Sequence, residues 1–205
     1  MKIVLFVEGH TEKKVLAGFI KRWIDPKLDR RLGLKVVRFE GWPELVKESP
    51  KKAKLYLEEK DVIAVFALLD LYGPTLYPDA VRGVSERYKW AKSHLEGRVD
   101  DTRFRQHFAV HETEAWLFSN PALFPKPVKD ALPAWATKPE EINFDQPPSK
   151  LLGKLYKEKT GRGYKKVANG KDLFDRLDPE AAYGKCPYLR RLLDDMLKLA
   201  GEAGL

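Results

Sequence analysis

The chain has 205 residues, 33% of them charged, a formal net charge of +8 and one cysteine, Cys186. That length suits one α/β domain with a small appendage and a core that needs no covalent staples, and a lone cysteine excludes an intramolecular disulfide. The opening apolar run is too short for a secretory signal or a membrane span, so the chain reads as cytoplasmic, with a basic balance that favours polyanionic partners.

Residues 2–7 read as a buried strand. Apolar residues at 15, 16, 19, 20, 23 and 24 then form one helical stripe, with Thr11 as N-cap, Glu12 in the first turn and Pro26 at the end. A second strand spans Leu34 to Phe39, and Pro43 opens a helix carrying Leu45, Val46, Leu55 and Leu57 that Ser49-Pro50 is expected to interrupt. Asp61 to Asp70 is the most apolar run and predicts a central strand buried on both faces, broken by Gly73-Pro74. A helix from about Asp79 to Glu96 follows, then an edge-like strand from Arg103 to Val110 and a short helix from His111 to Phe118, stopped by Asn120-Pro121. Strands alternating with helices mean a mostly parallel, Rossmann-like sheet of four strands. Beyond Pro121 prolines recur without periodicity, then comes a basic stretch, then an amphipathic helix from about Pro187 to Leu199. The expected division is a core at 1–120 and a proline-rich, basic extension at 121–205 packed on it.

Glu8 follows the first strand and Asp70 closes the third. Ligands of open parallel sheets gather beyond the carboxyl ends of the strands. If these two strands are neighbours, both carboxylates face one crevice, where oxygen ligands suit Mg²⁺ or Mn²⁺ and phosphoryl chemistry. An acid after a strand serves equally well as a cap or turn residue. His111-Glu112-Thr113-Glu114 is not a zincin motif, because Ala115 stands where the second histidine belongs. Residues two apart point about 200° apart on a helix, so Glu112 and Glu114 reach one ion only if the stretch is not yet helical. Otherwise one faces the site and the other caps a helix or pairs with a base. His111 orients a ligand, moves a proton, or is a satisfied strand-end histidine.

Between Lys150 and Lys171 stand seven lysines and one arginine against the single acid Glu158. This is either a solvated face or a phosphate-contacting surface made of Lys150, Lys154, Arg162, Lys165 and Lys166. Tyr156 and Tyr164 either stack on bases or pack. Gly161-Arg162-Gly163 looks like a flexible phosphate-contacting loop, but no P-loop is present, so no ATP site is expected. A lysine beside a metal stabilises charge developing in transfer, with Lys150 the first candidate and Lys166 the second. Cys186 before Pro187 is expected to pack. Two Met, few Asn or Gln and 14 Pro among abundant Lys, Arg and Glu point to a thermophilic source. Calorimetry should then give a melting temperature above the mesophile band of roughly 45–65 °C.

Val7-Glu8-Gly9-x-Thr11-Glu12 before a helix resembles the first motif of Toprim domains, found in topoisomerases, primases and nucleases of overcoming-lysogenization-defect type. Asp70-Leu71-Tyr72 is similar to the family's Asp-x-Asp but has Tyr72 at the second acid. A Toprim-related family catalogued as domain of unknown function 4276 is the nearer resemblance. It is carried by Asp70-Leu71-Tyr72-Gly73, His111-Glu112-Thr113-Glu114-Ala115, Pro148-Ser149-Lys150 and Cys186-Pro187. The resemblance implies a Mg²⁺- or Mn²⁺-dependent nuclease, acting on DNA in preference to RNA, beside an ATPase partner in defence, with homodimerisation left open. Glu8, Asp70 and Glu112 or Glu114 would ligate metal, with Glu8 doubling as general base, Lys150 completing the catalytic set, and Glu12, Tyr72 and His111 in support. The rival expectation is a non-catalytic nucleic-acid-binding or ATPase-regulating subunit, which the missing acid at Tyr72 favours. A metal-dependent phosphatase is a third, and predicts affinity nearly insensitive to salt.

Overall fold

In the computed structural model, which describes residues 1–141 and 146–205, β1 (Lys2–Val7), β2 (Gly33–Arg38), β3 (Val62–Asp70) and β4 (Phe104–Ala109) form one sheet in the order β2-β1-β3-β4. Every pairing is parallel, as the alternation of strands and helices requires. Successive side chains of a strand point to opposite faces. Ile3, Leu5, Val7, Ala64, Phe66 and Leu68 therefore enter one core, and Val4, Phe6, Val65, Ala67 and Leu69 the other. This double burial explains the unbroken apolar runs of the two central strands.

Helix α1 (His10–Ile24) covers the first face, while α2 (Trp42–Leu57) and α3 (Val84–Val99) cover the second. Parallel crossovers are right-handed. The chain therefore leaves β1 toward one edge of the sheet and β3 toward the other. The carboxyl ends of β1 and β3 flank the point where the winding reverses, and a crevice forms there.

Three boundaries differ from the sequence expectation. Helix α1 starts at His10, with extended Gly9 at the N-cap, so Thr11 lies buried inside the first turn rather than capping it, while Glu12 stands in the first turn as expected. Helix α2 runs through Pro50 without a break. Proline removes the N–H that would bond the carbonyl four residues earlier, and Arg98 Nη1 supplies the missing donor to Val46 O at 2.7 Å. Helix α3 starts at Val84 rather than near Asp79, because Glu86 Oε2 accepts from Gly83 N at 3.1 Å and Arg82 N at 3.3 Å and closes the first turn there.

After β4 a 3-10 segment occupies Thr113–Ser119 in place of the expected helix from His111. Short turns and α4 (Lys126–Lys129) lead to α5 (Pro148–Thr160), α6 (Lys166–Arg176), α7 (Pro179–Lys185) and α8 (Pro187–Glu202). Leu152 of α5, Phe174 of α6 and Leu193 of α8 share the core of β1 and α1, and Cys186 is buried with them. Strand β4 is an edge of the sheet, and its buried His107 bonds Tyr88 Oη at 3.1 Å and Asp195 Oδ2 at 3.0 Å, tying α3 and α8 to that edge. Among the described residues no helix is long and apolar enough to cross a membrane.

Glu140 holds the start of α8, accepting from Tyr188 N at 2.6 Å and Leu189 N at 3.1 Å. Burial pushes its carboxyl up to about 7. A carboxyl raised on folding favours the protonated native state, so its contribution is complete below the unfolded value of 4.5 and is lost as pH rises to about 7. Glu140→Gln should therefore gain on the wild type by about 3 kcal/mol between pH 4 and pH 8. Urea unfolding of both proteins at several pH values measures this, and a pH-independent difference would contradict it.

Candidate active site

The ends of β1 and β3 bring Glu8 and Asp70 together, since the two strands are hydrogen-bonded neighbours and Val7 pairs with Leu68. Glu8 Oε1 accepts from Asp70 N at 3.4 Å. Glu12 joins them from the first turn of α1, close over the backbone of Gly9. A β-carbon at residue 9 would collide with Glu12 Oε2, so only glycine lets the carboxylate turn back here. Glu114 enters from the 3-10 segment and is fully buried. Thr113 binds three of these groups: its N–H donates to Asp70 Oδ1 at 3.1 Å, and its hydroxyl lies 3.4 Å from both Glu12 Oε1 and Glu114 Oε2.

The cation at the centre is Lys166. Its ammonium lies 3.2 Å from Glu114 Oε2, 3.9 Å from Glu12 Oε1 and 3.9 Å from Asp70 Oδ2. Lys166 is the first residue of α6, and α6 is fixed by its own sequence. Phe174 packs edge-on to Phe19 of α1 at 5.9 Å, and Arg22 donates to Phe174 O at 2.8 Å and Leu177 O at 3.1 Å. Gly170, one turn beyond Lys166, is buried between α6 and Thr11 of α1, where a β-carbon would meet Thr11 Cγ2 at an ordinary 3.5 Å and Tyr164 Oη at a tight 3.2 Å.

Crowding of like charges in a buried space sets the acidities. Burial, with Glu12 beside it, raises the Glu8 carboxyl. Burial raises Asp70 well above the carboxylate range, against the pull of Lys166 and with the push of Glu8, Glu12 and Glu114. Burial pushes Glu114 up to about 7. Burial alone would lower the Lys166 ammonium, but Glu114, Asp70 and Glu12 outweigh it and hold it above its usual value.

Other candidates stand elsewhere. Both Glu112 oxygens are engaged at the start of α5, accepting from Ser149 N at 2.8 Å and Ser149 Oγ at 2.9 Å. Glu112 is the extended N-cap residue of the 3-10 segment, and these two bonds hold its carboxylate at Ser149. Lys150 lies on Tyr72 instead of among the acids, with Nζ 3.3 Å from the phenol oxygen. His111 is buried, and burial and Arg87 lower it to about 4. Lys154, Arg162 and Lys165 are exposed around α5 and the turn into α6. Gly161 takes a left-handed φ of 68° as the C-cap of α5, which gives the glycine turn a structural reason. Tyr156 and Tyr164 pack on each other at 5.4 Å rather than offering a stacking surface. Sequence reasoning missed Thr113, Ser149 and the direct place of Glu12. Their one available signal was adjacency to the acids and to Lys150.

A metal has been expected here, and the donors fit one in kind. Carboxylate oxygens suit Mg²⁺ and Mn²⁺, a cationic ammonium already stands where three of them converge, and Glu114 Oε1 is buried with no hydrogen-bond donor among the described residues. As arranged around Lys166, no three of His, Cys, Asp or Glu among the described residues form a ready metal cage.

No curated protein matches the chain. Among solved structures it is similar to the C-terminal region of the Burkholderia pseudomallei OLD protein, with 15% identity, 93% of this chain and 98% of that chain covered, and a TM-score of 0.44. The model of the family described as domain of unknown function DUF4276 matches residues 7–197, nearly the whole sequence that builds the sheet, the acidic crevice and the helices around it, and the chain belongs to that family.

Proposed function

We propose that the protein is a Toprim-like, divalent-metal-dependent nuclease that hydrolyses nucleic-acid phosphodiesters at the β1–β3 crevice. The observation that carries the reading is the convergence of Glu12, Asp70 and Glu114 on one cation, with Glu8 beside them. Burying so many acids together costs folding energy and no packing requirement accounts for it.

Asp70, Glu114 and Glu12, with Glu8 at the rim, would hold Mg²⁺ or Mn²⁺. The metal, when bound, would polarise a phosphoryl oxygen and acidify a water. Glu8 is not among the ion-pair partners of Lys166, and its raised carboxyl suits it to take a proton from the attacking water. Lys166, whose side chain keeps 39% exposure, opens to the substrate side and offers its ammonium to charge developing on the phosphate. Thr113 holds the acids in place, while Glu112 anchors the α5 turn that carries Lys150. Lys150, Lys154, Arg162 and Lys165 would neutralise backbone phosphates, giving affinity that falls steeply with salt. DNA as the target, an ATPase partner and a homodimer belong to the same reading.

The ion pairs of Lys166 with Glu12, Asp70 and Glu114 favour a second reading, a nucleic-acid-binding subunit in which the ammonium holds the place of a metal. Cleavage assays with Mg²⁺ or Mn²⁺ and with chelator separate the two. Metal-dependent nicking lost in Glu8→Gln, with binding kept, supports the enzyme; binding without nicking supports the subunit.

A further inference from the structure

We propose that the cleft beside the carboxylates is a subsite for one unpaired nucleotide of a single strand, its base stacked on Tyr72 and its phosphate held by Arg82 and Lys150. This deepens the phosphodiester reading and rests on it. The cleft measures about 850 Å³ and is formed by the loop after β3 and the first turns of α3. Tyr72, Tyr77, Pro74 and Pro78 supply flat apolar walls, and Arg82 and Arg87 bring two positive charges against the single acid Asp79. Such a lining suits a planar aromatic ring carrying an anion.

Both tyrosines are held in place by neighbouring groups. Tyr77 donates to Leu71 O at 3.2 Å and carries the Arg87 guanidinium 5.0 Å over its ring. Tyr72 is partly exposed, with the Lys150 ammonium 5.6 Å from its ring centre. Tyr72 stands two residues after Asp70, and its N–H is bonded to His111 O at 3.0 Å, which keeps the loop in line with β4. A base resting on Tyr72 therefore lies next to the acidic crevice, with one of its two flanking phosphates at Arg82 and Lys150 and the other on the side of the acids. A base stacked and paired in a duplex exposes neither face, so it cannot enter a cleft of this shape. The residue that removes an expected acid thus adds a stacking surface, and selects single strands.

The test is fluorescence anisotropy in EDTA with a labelled thymidine oligonucleotide of about 12 nucleotides, a length one single-strand site covers, and with a duplex of the same length. The wild type should bind the single strand more tightly. Tyr72→Ala should weaken single-strand binding by about tenfold, within the range for losing one stacked base, and leave duplex binding within about twofold. Tyr72→Phe should retain wild-type binding. Arg82→Ala, at an exposed position, should weaken the single strand and reduce its salt slope by about one. Equal single-strand and duplex affinity would overturn the subsite, as would Tyr72→Ala weakening both ligands alike or neither. Because no metal is present, a failure of cleavage would sink the catalytic reading and leave this result standing, and the converse holds.

Discussion

Asp70→Asn is expected to lower Mg²⁺- or Mn²⁺-dependent cleavage by roughly 10²–10³-fold, the scale for removing one charge-stabilising group from a preorganised site. The fold should survive. Asparagine keeps an oxygen that can accept from Thr113 N, which now bonds Asp70 Oδ1 at 3.1 Å. The lost contact to Lys166 is a long one, 3.9 Å. Burial and three neighbouring acids already disfavour the Asp70 charge, so its removal relieves repulsion. The melting temperature should therefore hold or rise while activity falls. Plasmid nicking and a thermal melt on the same preparation measure both quantities. An active Asp70→Asn protein would remove Asp70 from the catalytic set, and an unfolded one would make it a structural residue.

Lys166→Met should produce the largest change in stability. Methionine preserves much of the stem but leaves Glu114, Asp70 and Glu12 without their cation. Breaking a fully buried pair costs about 3–5 kcal/mol. The 39% exposure of the Lys166 side chain reduces this, because water screens the remaining charge, so about 2 kcal/mol is expected. For a chain of this size that is roughly 4–8 °C in melting temperature.

The loss should depend on pH. Glu114 is pushed up to about 7, so below that value it is protonated and needs little compensation. For a carboxyl raised on folding, stability falls as pH rises from the unfolded value toward the folded one. The variant should therefore be close to wild type near pH 5 and well below it at pH 8. Mn²⁺ should then restore the variant by mass action, about 2.7 kcal/mol at a hundred times its dissociation constant. The wild type should gain less, because the ion must compete with the ammonium. Equal Mn²⁺ shifts in both proteins, or none in either, would show that Lys166 does not stand in for a metal.

The sheet was legible because its information is local. An apolar run with β-branched residues reads as a doubly buried strand wherever it occurs, and the stripe at residues 15, 16, 19, 20, 23 and 24 reads as one helix face. Helix boundaries were less legible where a distant residue decides them. Nothing near Pro50 announces that Arg98, 52 positions beyond Val46, donates to the Val46 carbonyl that proline leaves unbonded. The basic stretch shows the same limit. Its charge was plain, but only the packing of Phe174 on Phe19 and the bonds from Arg22 to the end of α6 decide that Lys166, alone in that stretch, enters the acidic crevice.

The sequence by itself determined the alternation of strands and helices, the parallel sheet, the two acids at its carboxyl edge and the family motifs that surround them. Tertiary structure decided which other groups meet those acids. It brought in Glu12 from a helix turn, Glu114 from a 3-10 segment and Lys166 from a helix near the end of the chain, bound Glu112 to Ser149, and set Lys150 on Tyr72. The physical reason is that secondary structure follows the periodicity of neighbouring residues, whereas a site is made of side chains whose approach is set by helix packing over long sequence separations.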